Sequence, residues 1–394
     1  MPLFQALKQR LPFYPKSRKV LVEGRIMEEG DIPRAKNGEF IRANSALPRT
    51  TKLPAMEVRP GRFTLFVCYG CPWAHRAALV HELMGFGLAV PLVHTEGWLP
   101  WTRGLPALAT GGWRVAGEEL ALARTALRNA PAAVQAEAAG PDPLYVWQLY
   151  TATDPVYSGR VTVPVLWDGD EVKIVNNESS EVLRLLNQEM RALATPDAPD
   201  LYPAELAAEI DATNERLQTG FNNGVYRVGF AGSPTAYAEA KKALFETMDW
   251  MEERVATRAF LNGDRLTESD VRAFTTLMRF DSAYHMMFRA TDRRLRTGYP
   301  HLFRYLRRLY ARPPFRASCR GMLLGYPLMY SIICRWEGRR IANVLRLCEV
   351  GVFAVLRTLA PDAPDWRYRL ASLCCLPLRA LGRLVDPCPS SLFE

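Results

Sequence analysis

Apolar positions along the chain change from short strand-like runs in the first half to helical spacing in the second half. Residues 62–69 are rich in β-formers and predict a strand that ends at Gly70. An apolar helical pattern then begins at Pro72 and continues to about residue 84, and residues 88–93 predict a second short strand. This order of strand, helix and strand is the start of a β-α-β unit.

Strand-like spacing resumes further along the chain and is followed by a long helical region. Residues 161–168 and 172–175 are apolar runs separated by a turn at 169–170, which predicts a hairpin. Residues 176–180, with the sequence NNESS, open the next predicted helix. From residue 203 to about residue 310 the spacing is helical, so this part of the chain is predicted to be all-α.

An inserted segment and a helix start are also visible in the pattern. Residues 96–154 combine a Trp-, Gly- and Pro-rich loop with an alanine-rich stretch, 118–139, that predicts one or two inserted helices. In the helical half, Thr267 followed three residues later by Asp270 predicts a helix N-terminus with a capping box. We interpret this box as a source of helix stability and not as a functional site.

The composition is that of an ordinary soluble protein. The chain has 394 residues, enough for two domains, with 48% hydrophobic and 23% charged residues. No apolar run reaches the roughly 20 residues that cross a bilayer. The net charge of +9 is carried by arginines spread through helical segments, so we expect a solvated surface and no nucleic-acid partner.

The eight cysteines lack the paired spacing of a zinc site, so no metal is predicted. The first residues do not have the pattern of a secretory signal peptide, so we expect a reducing compartment and a cytoplasmic protein. Basic residues in the first part of the chain leave an organelle-targeting segment as the alternative.

Cys71 is the main candidate for chemistry because it lies directly before the helix that Pro72 opens. Unpaired N–H groups and the helix dipole favour a thiolate there, and such positions lower a cysteine pKa from about 8.5 to between roughly 3.5 and 7.5. Ala74 stands where a C-x-x-C pair would have its second cysteine, so a redox cycle needs a second thiol from solution. A buried cysteine that merely precedes a helix is the alternative interpretation.

Six motifs carry the most specific signal in the chain. They are GEFIR at 38–42, CPWAHR at 71–76, GRVTVPVLWD at 159–168, IVNNESSE at 174–181, NNGVYRVGF at 222–230 and RFD at 279–281. In this order they resemble the glutathione transferase superfamily and, more narrowly, its Xi class, the glutathionyl-hydroquinone reductases. The resemblance implies an α/β thioredoxin-like N-terminal domain followed by an all-α C-terminal domain.

The implied domain organisation has four parts. They are an N-terminal extension and lead-in at 1–61, a glutathione-binding domain at 62–190 with an insert at about 96–155, a helical domain at 200–315 that binds the quinol ring, and a divergent basic tail at 316–394. Within the tail, residues 341–359 have helical spacing beside two arginines, which permits contact with a membrane surface or a partner. A helix packed on the body of the protein is the alternative.

The resemblance implies that glutathione is the co-substrate and is held by Trp98, Arg160, Val163, Pro164, Glu178 and Ser179. Val163, which precedes a proline that is cis in the family, pairs its backbone with the glutathione peptide. Glu178 and Ser179 hold the γ-glutamyl end, and Trp98 covers the bound molecule. The family also implies a homodimer.

For the second substrate, the resemblance implies a ring-binding site in the helical domain. Tyr226 and Tyr284 would bind and protonate the ring oxygens of a glutathionylated hydroquinone, and Phe280 and Phe288 could supply apolar walls. Cys71 would take the glutathionyl group as a mixed disulfide, which a second glutathione then releases as glutathione disulfide.

Two other activities remain compatible with the sequence. A single reactive thiol also serves an omega-like thioltransferase or a dehydroascorbate reductase, and a glutathione-transferase fold without turnover could act as a binding module. Cys68 is an extra thiol near the nucleophile. If it lies on the strand we expect a small buried hydrophobe; otherwise it could resolve the mixed disulfide.

Overall fold

The computed structural model describes most of the chain between residues 18 and 319. The described residues are 18–29, 34–42, 47–54, 57–68, 70–95, 113–115, 119–132, 135, 144–285 and 288–319. Within them a mixed α/β domain precedes a helical domain, which confirms the expected fold class. Trp98 and the predicted helix at 341–359 lie outside the described residues.

A short antiparallel hairpin precedes the main sheet. Its strands are β1 (Arg18–Val22) and β2 (Arg25–Glu29). Gly24 in the turn has a φ of 74°, and its N–H donates to the carbonyl oxygen of Tyr157 at 3.0 Å. This part of the lead-in is therefore paired with the rest of the N-terminal domain.

The first β-α-β unit follows the predicted order. It consists of β3 (Phe63–Val67), α1 (Pro72–Met84) and β4 (Leu92–His94). All five residues of β3 are buried, so both faces of this strand are covered. Helix α1 begins at Pro72 as predicted and ends where Gly85 adopts a φ of 66°. The first residues of the predicted second strand instead form a 3₁₀ turn over Gly87–Ala89.

The described part of the insert contains two helices, and the sequence predicts the position of one of them. Its described elements are β5 (Arg114–Val115), α2 (Glu119–Ala126), β6 (Leu144–Tyr145) and α3 (Val146–Thr153). Helix α2 lies in the predicted alanine-rich stretch. Helix α3 replaces a predicted loop, because the apolar side chains of Val146, Leu149 and Tyr150 are fully buried in the core.

Three strands and a helix complete the domain. They are β7 (Gly159–Arg160), β8 (Val165–Asp168), β9 (Lys173–Asn176) and α4 (Ser179–Arg184). The main sheet has the order β4-β3-β8-β9, in which β3 is parallel to β4 and antiparallel to β8. Strands β8 and β9 form the predicted hairpin. The peptide bond between Val163 and Pro164, just before β8, is cis, as the resemblance implies.

The helical domain surrounds one deeply buried helix. Its elements are α5 (Ala207–Arg216), α6 (Gly224–Phe230), α7 (Pro234–Thr257), α8 (Glu268–Arg279), α9 (Leu295–Gly298), α10 (Pro300–Tyr310) and α11 (Pro313–Ala317), with π-helical turns at Leu217–Asn222 and Phe280–Tyr284. Helix α8 is buried along almost all of its length. The predicted capping box is confirmed, because the Thr267 N–H donates to the Asp270 carboxylate at 2.8 Å.

Helix α1 joins the two domains, since it packs against β3, α4, α8 and α11. Arg76 of α1 donates to the amide oxygen of Asn222 at 2.7 Å, and Arg279 of α8 donates to Nδ1 of His75 at 3.0 Å. Nδ1 therefore accepts, and the Nε2–H of His75 donates to Ser318 Oγ at 2.9 Å. Burial keeps the pKa of His75 well below its usual value, consistent with this neutral tautomer.

Candidate active site

The thiol of Cys71 lies where the chain turns from β3 into α1. Cys71 is the N-cap residue, with φ −91° and ψ 116°, and it is half-buried. The thiol donates a hydrogen bond to the carbonyl oxygen of Val163, with the sulfur 3.7 Å from that oxygen. The predicted nucleophile and the predicted cis-proline segment are therefore in contact.

The pKa of the Cys71 thiol is raised above that of an ordinary cysteine. Burial is the largest cause, because it penalises the charged thiolate. The backbone N–H groups of Ala74 and Trp73 oppose burial and lower the pKa. The guanidinium groups of Arg279 and Arg42 act in the same direction. The sequence-based expectation of a low pKa is thus wrong in sign, because it counts the helix terminus but not the cost of burial.

Cys68 directly follows β3 and is buried, as predicted. Its side chain is 3% exposed, and its carbonyl oxygen accepts from the Cys71 N–H at 3.1 Å. Burial raises the pKa of its thiol to about 12, so a thiolate at this position is strongly disfavoured. These properties are those of a small apolar side chain and not of a resolving nucleophile.

Glu178 and Ser179 lie together at the start of α4. Glu178 is the N-cap residue and is half-buried, and its carboxylate accepts from the hydroxyls of Ser179 and Ser180, each at 3.4 Å. Its own N–H donates to Oδ1 of Asn176 at 2.8 Å. The site thus offers one carboxylate and two hydroxyls, a set that can receive an ammonium group and a carboxylate from an amino acid.

Arg76 lies beneath this pair and was not among the predicted site residues. Its guanidinium is 1% exposed, and Nη1 donates to Ser179 Oγ at 3.4 Å. The guanidinium carbon is also 4.4 Å from the centre of the Trp73 ring, one turn of α1 away. The sequence signal was a charged residue followed directly by the apolar run 77–80 within the predicted helix.

The helical domain contributes an aromatic cluster near Cys71. The rings of Tyr226 and Tyr284 are 6.0 Å apart, and Phe288 lies 5.3 Å from Tyr226 and 5.2 Å from Tyr284. Trp73 reaches the cluster from α1, with its ring 5.9 Å from that of Tyr226. The cluster brings together both predicted tyrosines and Phe288 beside the helix that carries the thiol.

Phe280 does not belong to this cluster, which corrects the expectation from the sequence. Its ring is fully buried and lies 6.3 Å from each of Phe221 and Phe245. It begins the π-helical turn after α8 and contributes to the domain core.

Arg42, in the GEFIR motif, covers the cluster from the lead-in segment. Its guanidinium carbon is 4.4 Å from the centre of the Trp73 ring and 4.9 Å from that of Tyr226. Its Nε donates to Oδ1 of Asn223 at 2.9 Å, which fixes the side chain although the residue is exposed. This cation was not predicted as a site residue.

The remaining predicted glutathione contacts lie elsewhere or outside the described residues. Arg160 is in β7, opposite Val20 of β1, and its carbonyl oxygen accepts from the Tyr157 hydroxyl at 3.1 Å. Its role in glutathione binding stays a prediction, as does that of Trp98. Within the described ranges there is no group of three His, Cys, Asp or Glu side chains that could hold a metal ion.

Comparison with known proteins agrees with this geometry. Residues 70–189 match the sequence model of the glutathione S-transferase N-terminal domain, and residues 234–308 match that of the C-terminal domain. The glutathionyl-hydroquinone reductase PcpF of Sphingobium chlorophenolicum is 37% identical over 291 residues, which cover 74% of this chain and 84% of the relative. The chain belongs to the glutathione transferase family.

Solved structures place this glutathione transferase near the Xi class. The crystal structure of glutathione-S-transferase Xi from Phanerochaete chrysosporium superposes with a TM-score of 0.61 at 34% identity, covering 76% of this chain and 91% of that one. The glutathione-bound structure of YqjG from Escherichia coli K-12 has a TM-score of 0.58 at 29% identity, with coverages of 80% and 92%. Among the described residues of this transferase, no helix is long and apolar enough to cross a membrane.

Proposed function

We propose that this glutathione transferase reduces S-glutathionyl-hydroquinones to hydroquinones, with glutathione as the co-substrate. The observation that carries the proposal is the contact between the thiol-bearing helix and the aromatic cluster. Trp73, two residues after Cys71, lies against Tyr226, so a ring bound at the cluster would be next to the thiol. Relatives that are named glutathionyl-hydroquinone reductases support the same substrate class.

In the first proposed step, the Cys71 thiolate attacks the glutathione sulfur of the substrate. A sulfur–sulfur bond forms, the bond between sulfur and the aromatic carbon breaks, and its electron pair stays with the ring. The ring carbon gains a proton, for which the hydroxyls of Tyr226, whose ring lies 5.9 Å from that of Trp73, and of Tyr284, whose ring lies 6.0 Å from that of Tyr226, are the candidate donors. The products are free hydroquinone and a mixed disulfide of Cys71 with glutathione.

In the second step, a glutathione thiolate attacks the sulfur of the bound glutathionyl group. Glutathione disulfide leaves, and Cys71 returns to its reduced form. The aromatic substrate is thereby reduced by two electrons, and two glutathione sulfurs are oxidised to one disulfide. Glu178 and Ser179 would hold the γ-glutamyl end of glutathione during both steps.

The test is anaerobic incubation of the purified protein with an S-glutathionyl-hydroquinone, followed by intact mass and a peptide map. We expect a glutathionyl adduct on Cys71 together with one equivalent of free hydroquinone. Cys71→Ser is the matched control and should give neither product. Release of hydroquinone by this variant at the parental rate would overturn the mechanism.

A second comparison separates this function from that of a general thioltransferase. The parental protein is assayed with an S-glutathionyl-hydroquinone and with hydroxyethyl disulfide under the same glutathione concentration. The proposal requires the greater kcat/KM on the aromatic substrate, because only that substrate uses the tyrosines. Preference for hydroxyethyl disulfide would favour the omega-like alternative. A homodimer and a cytoplasmic location stay predictions.

A further inference from the structure

Arg76 is a buried cation that no carboxylate in the described part of the chain pairs with. Its guanidinium is 1% exposed and makes two hydrogen bonds to neutral groups, Ser179 Oγ at 3.4 Å and Asn222 Oδ1 at 2.7 Å. The third nitrogen, Nε, is buried and has no hydrogen-bond partner among the described residues. Buried charges are normally paired, because an unpaired ion is costly to remove from water.

The charges around Arg76 leave a net positive environment. Burial, assisted by the nearby cation Arg272, lowers the pKa of the Arg76 guanidinium to about 9. Glu178 opposes this from a distance without forming a salt bridge to Arg76. Arg272 already has a carboxylate partner, since it donates to Glu268 at 2.8 Å. Among the described residues, Arg76 has no such carboxylate partner.

The guanidinium is fixed on its other side by the helical domain. Asn222, which accepts from Arg76, also donates to the carbonyl oxygen of Arg272 at 3.0 Å and to Thr276 Oγ1 at 2.8 Å. Trp73 covers one face of the guanidinium. Arg76 is therefore held towards Ser179 before any ligand arrives, at little further cost in side-chain entropy.

The Ser179 hydroxyl lies between Arg76 and Glu178, each at 3.4 Å, and accepts from the guanidinium. A hydroxyl that accepts from a guanidinium keeps its own proton free to donate. That proton faces the Glu178 carboxylate over a long contact of 3.4 Å, and a ligand carboxylate that reached ordinary hydrogen-bond distance would replace this contact.

We infer that Arg76 is a positioning residue that makes the Ser179 hydroxyl a donor to the α-carboxylate of the γ-glutamyl group and balances the charge of that carboxylate. The inference rests on the proposed function, which brings glutathione to Glu178 and Ser179. Arg76 acts through Ser179 and the local charge, without contacting the reacting sulfur. It therefore governs recognition of one carboxylate and leaves the thiol chemistry to Cys71.

The test compares two ligands that differ only in that carboxylate. Glutathione and γ-aminobutyryl-cysteinyl-glycine, which lacks the α-carboxylate, are titrated calorimetrically into the full-length protein and into Arg76→Met and Arg76→Lys, all carrying Cys71→Ser to prevent reaction. We expect the protein with Arg76 to bind glutathione at least about tenfold more tightly than the analogue, as for a charge-assisted contact. Arg76→Met should bind the two ligands within about twofold of each other, and Arg76→Lys should recover part of the preference.

If the role of Arg76 were purely structural, Arg76→Met would weaken the binding of both ligands equally. The ratio of the two affinities would then be unchanged, which would overturn the inference. If Arg76→Met does not fold, Ser179→Ala decides the question, because the inference requires that the preference is also lost there. A preference retained in Ser179→Ala overturns it. If the parental protein forms the Cys71 adduct but Arg76→Met keeps the parental ratio of the two ligand affinities, only the role of Arg76 is refuted. Failure to form that adduct would refute the proposed function itself.

Discussion

The ring of Trp73 lies 5.9 Å from the ring of Tyr226, with 33° between their planes. Trp73 is in the first turn of the helix that Cys71 caps, and Tyr226 belongs to the helical domain. The contact therefore joins the thiol region to the aromatic cluster across the boundary between the domains. An aromatic ring bound at this cluster, as we propose, would therefore lie beside the helix that Cys71 caps.

Tyr226→Phe should slow release of hydroquinone and leave simple disulfide exchange intact. Removing a general acid costs about a hundredfold or more in rate, whereas reduction of hydroxyethyl disulfide has no ring to protonate. Steady-state kcat on the two substrates measures this difference. Tyr237→Phe is the matched control, because its hydroxyl donates to the Arg289 carbonyl outside the cluster. Equal losses on both substrates would refute a role of Tyr226 in protonation.

Cys68→Ala should keep nearly parental turnover. The turnover rate of Cys71→Ser should fall by more than about a thousandfold, as it does when the nucleophile of other enzymes is removed. The reason is that Cys68 is buried and burial holds the pKa of its thiol at about 12. Turnover of an S-glutathionyl-hydroquinone, with a peptide map for disulfides, measures both effects. A Cys68–Cys71 disulfide in the parental protein during turnover would show instead that Cys68 resolves the intermediate.

Asp270→Ala should lower the free energy of unfolding by about 3 kcal/mol or more, since it leaves several buried donors without an acceptor. Asp270 is fully buried and accepts from the Leu261 N–H at 2.9 Å, the Thr267 N–H at 2.8 Å and the Tyr305 hydroxyl at 2.6 Å. Urea unfolding followed by circular dichroism measures the loss. The control is Asp264→Ala, where the residue is exposed and the expected change is below about 0.5 kcal/mol.

The elements around Cys71 could be predicted because local signals mark their ends. Pro72 opens α1, Gly85 ends it, and the turn at 169–170 separates β8 from β9. Helix α3 escaped prediction because its capping box uses Tyr145 and Gln148 instead of the usual Ser or Thr start. The burial that holds this helix in place depends on distant parts of the chain.

In the candidate site, too, local motifs could be predicted from the sequence, whereas features that depend on tertiary packing could not. Motifs predict Cys71, Glu178 and the tyrosines as candidate site residues, because these residue types carry recognisable chemistry. They did not give the sign of the Cys71 pKa shift, because burial by packed neighbours is a tertiary property. Arg76 was missed for a similar reason: its function follows from the lack of a buried carboxylate partner among the described residues.

The rate of Cys71 alkylation should rise with pH and reach its midpoint above the ordinary cysteine pKa of about 8.5. Only the thiolate reacts, and burial raises the pKa of this thiol, so at neutral pH most of it is protonated. Iodoacetamide labelling over a pH series that extends well above the ordinary cysteine pKa, quantified on the Cys71 peptide, gives the midpoint. A midpoint below neutral pH would mean that the helix N–H groups and nearby cations outweigh burial.

Arg42→Met should move the midpoint of that profile to still higher pH. The Arg42 guanidinium lowers the pKa of the Cys71 thiol, whereas burial raises it. Removing the charge of Arg42 therefore lets the pKa rise further. Arg42 is exposed and makes its hydrogen bond to Asn223 at the surface, so we expect the variant to fold normally. Arg42→Lys keeps the charge and should keep the midpoint near the parental value. A midpoint that Arg42→Met leaves unchanged would mean that solvent screens this cation from the sulfur.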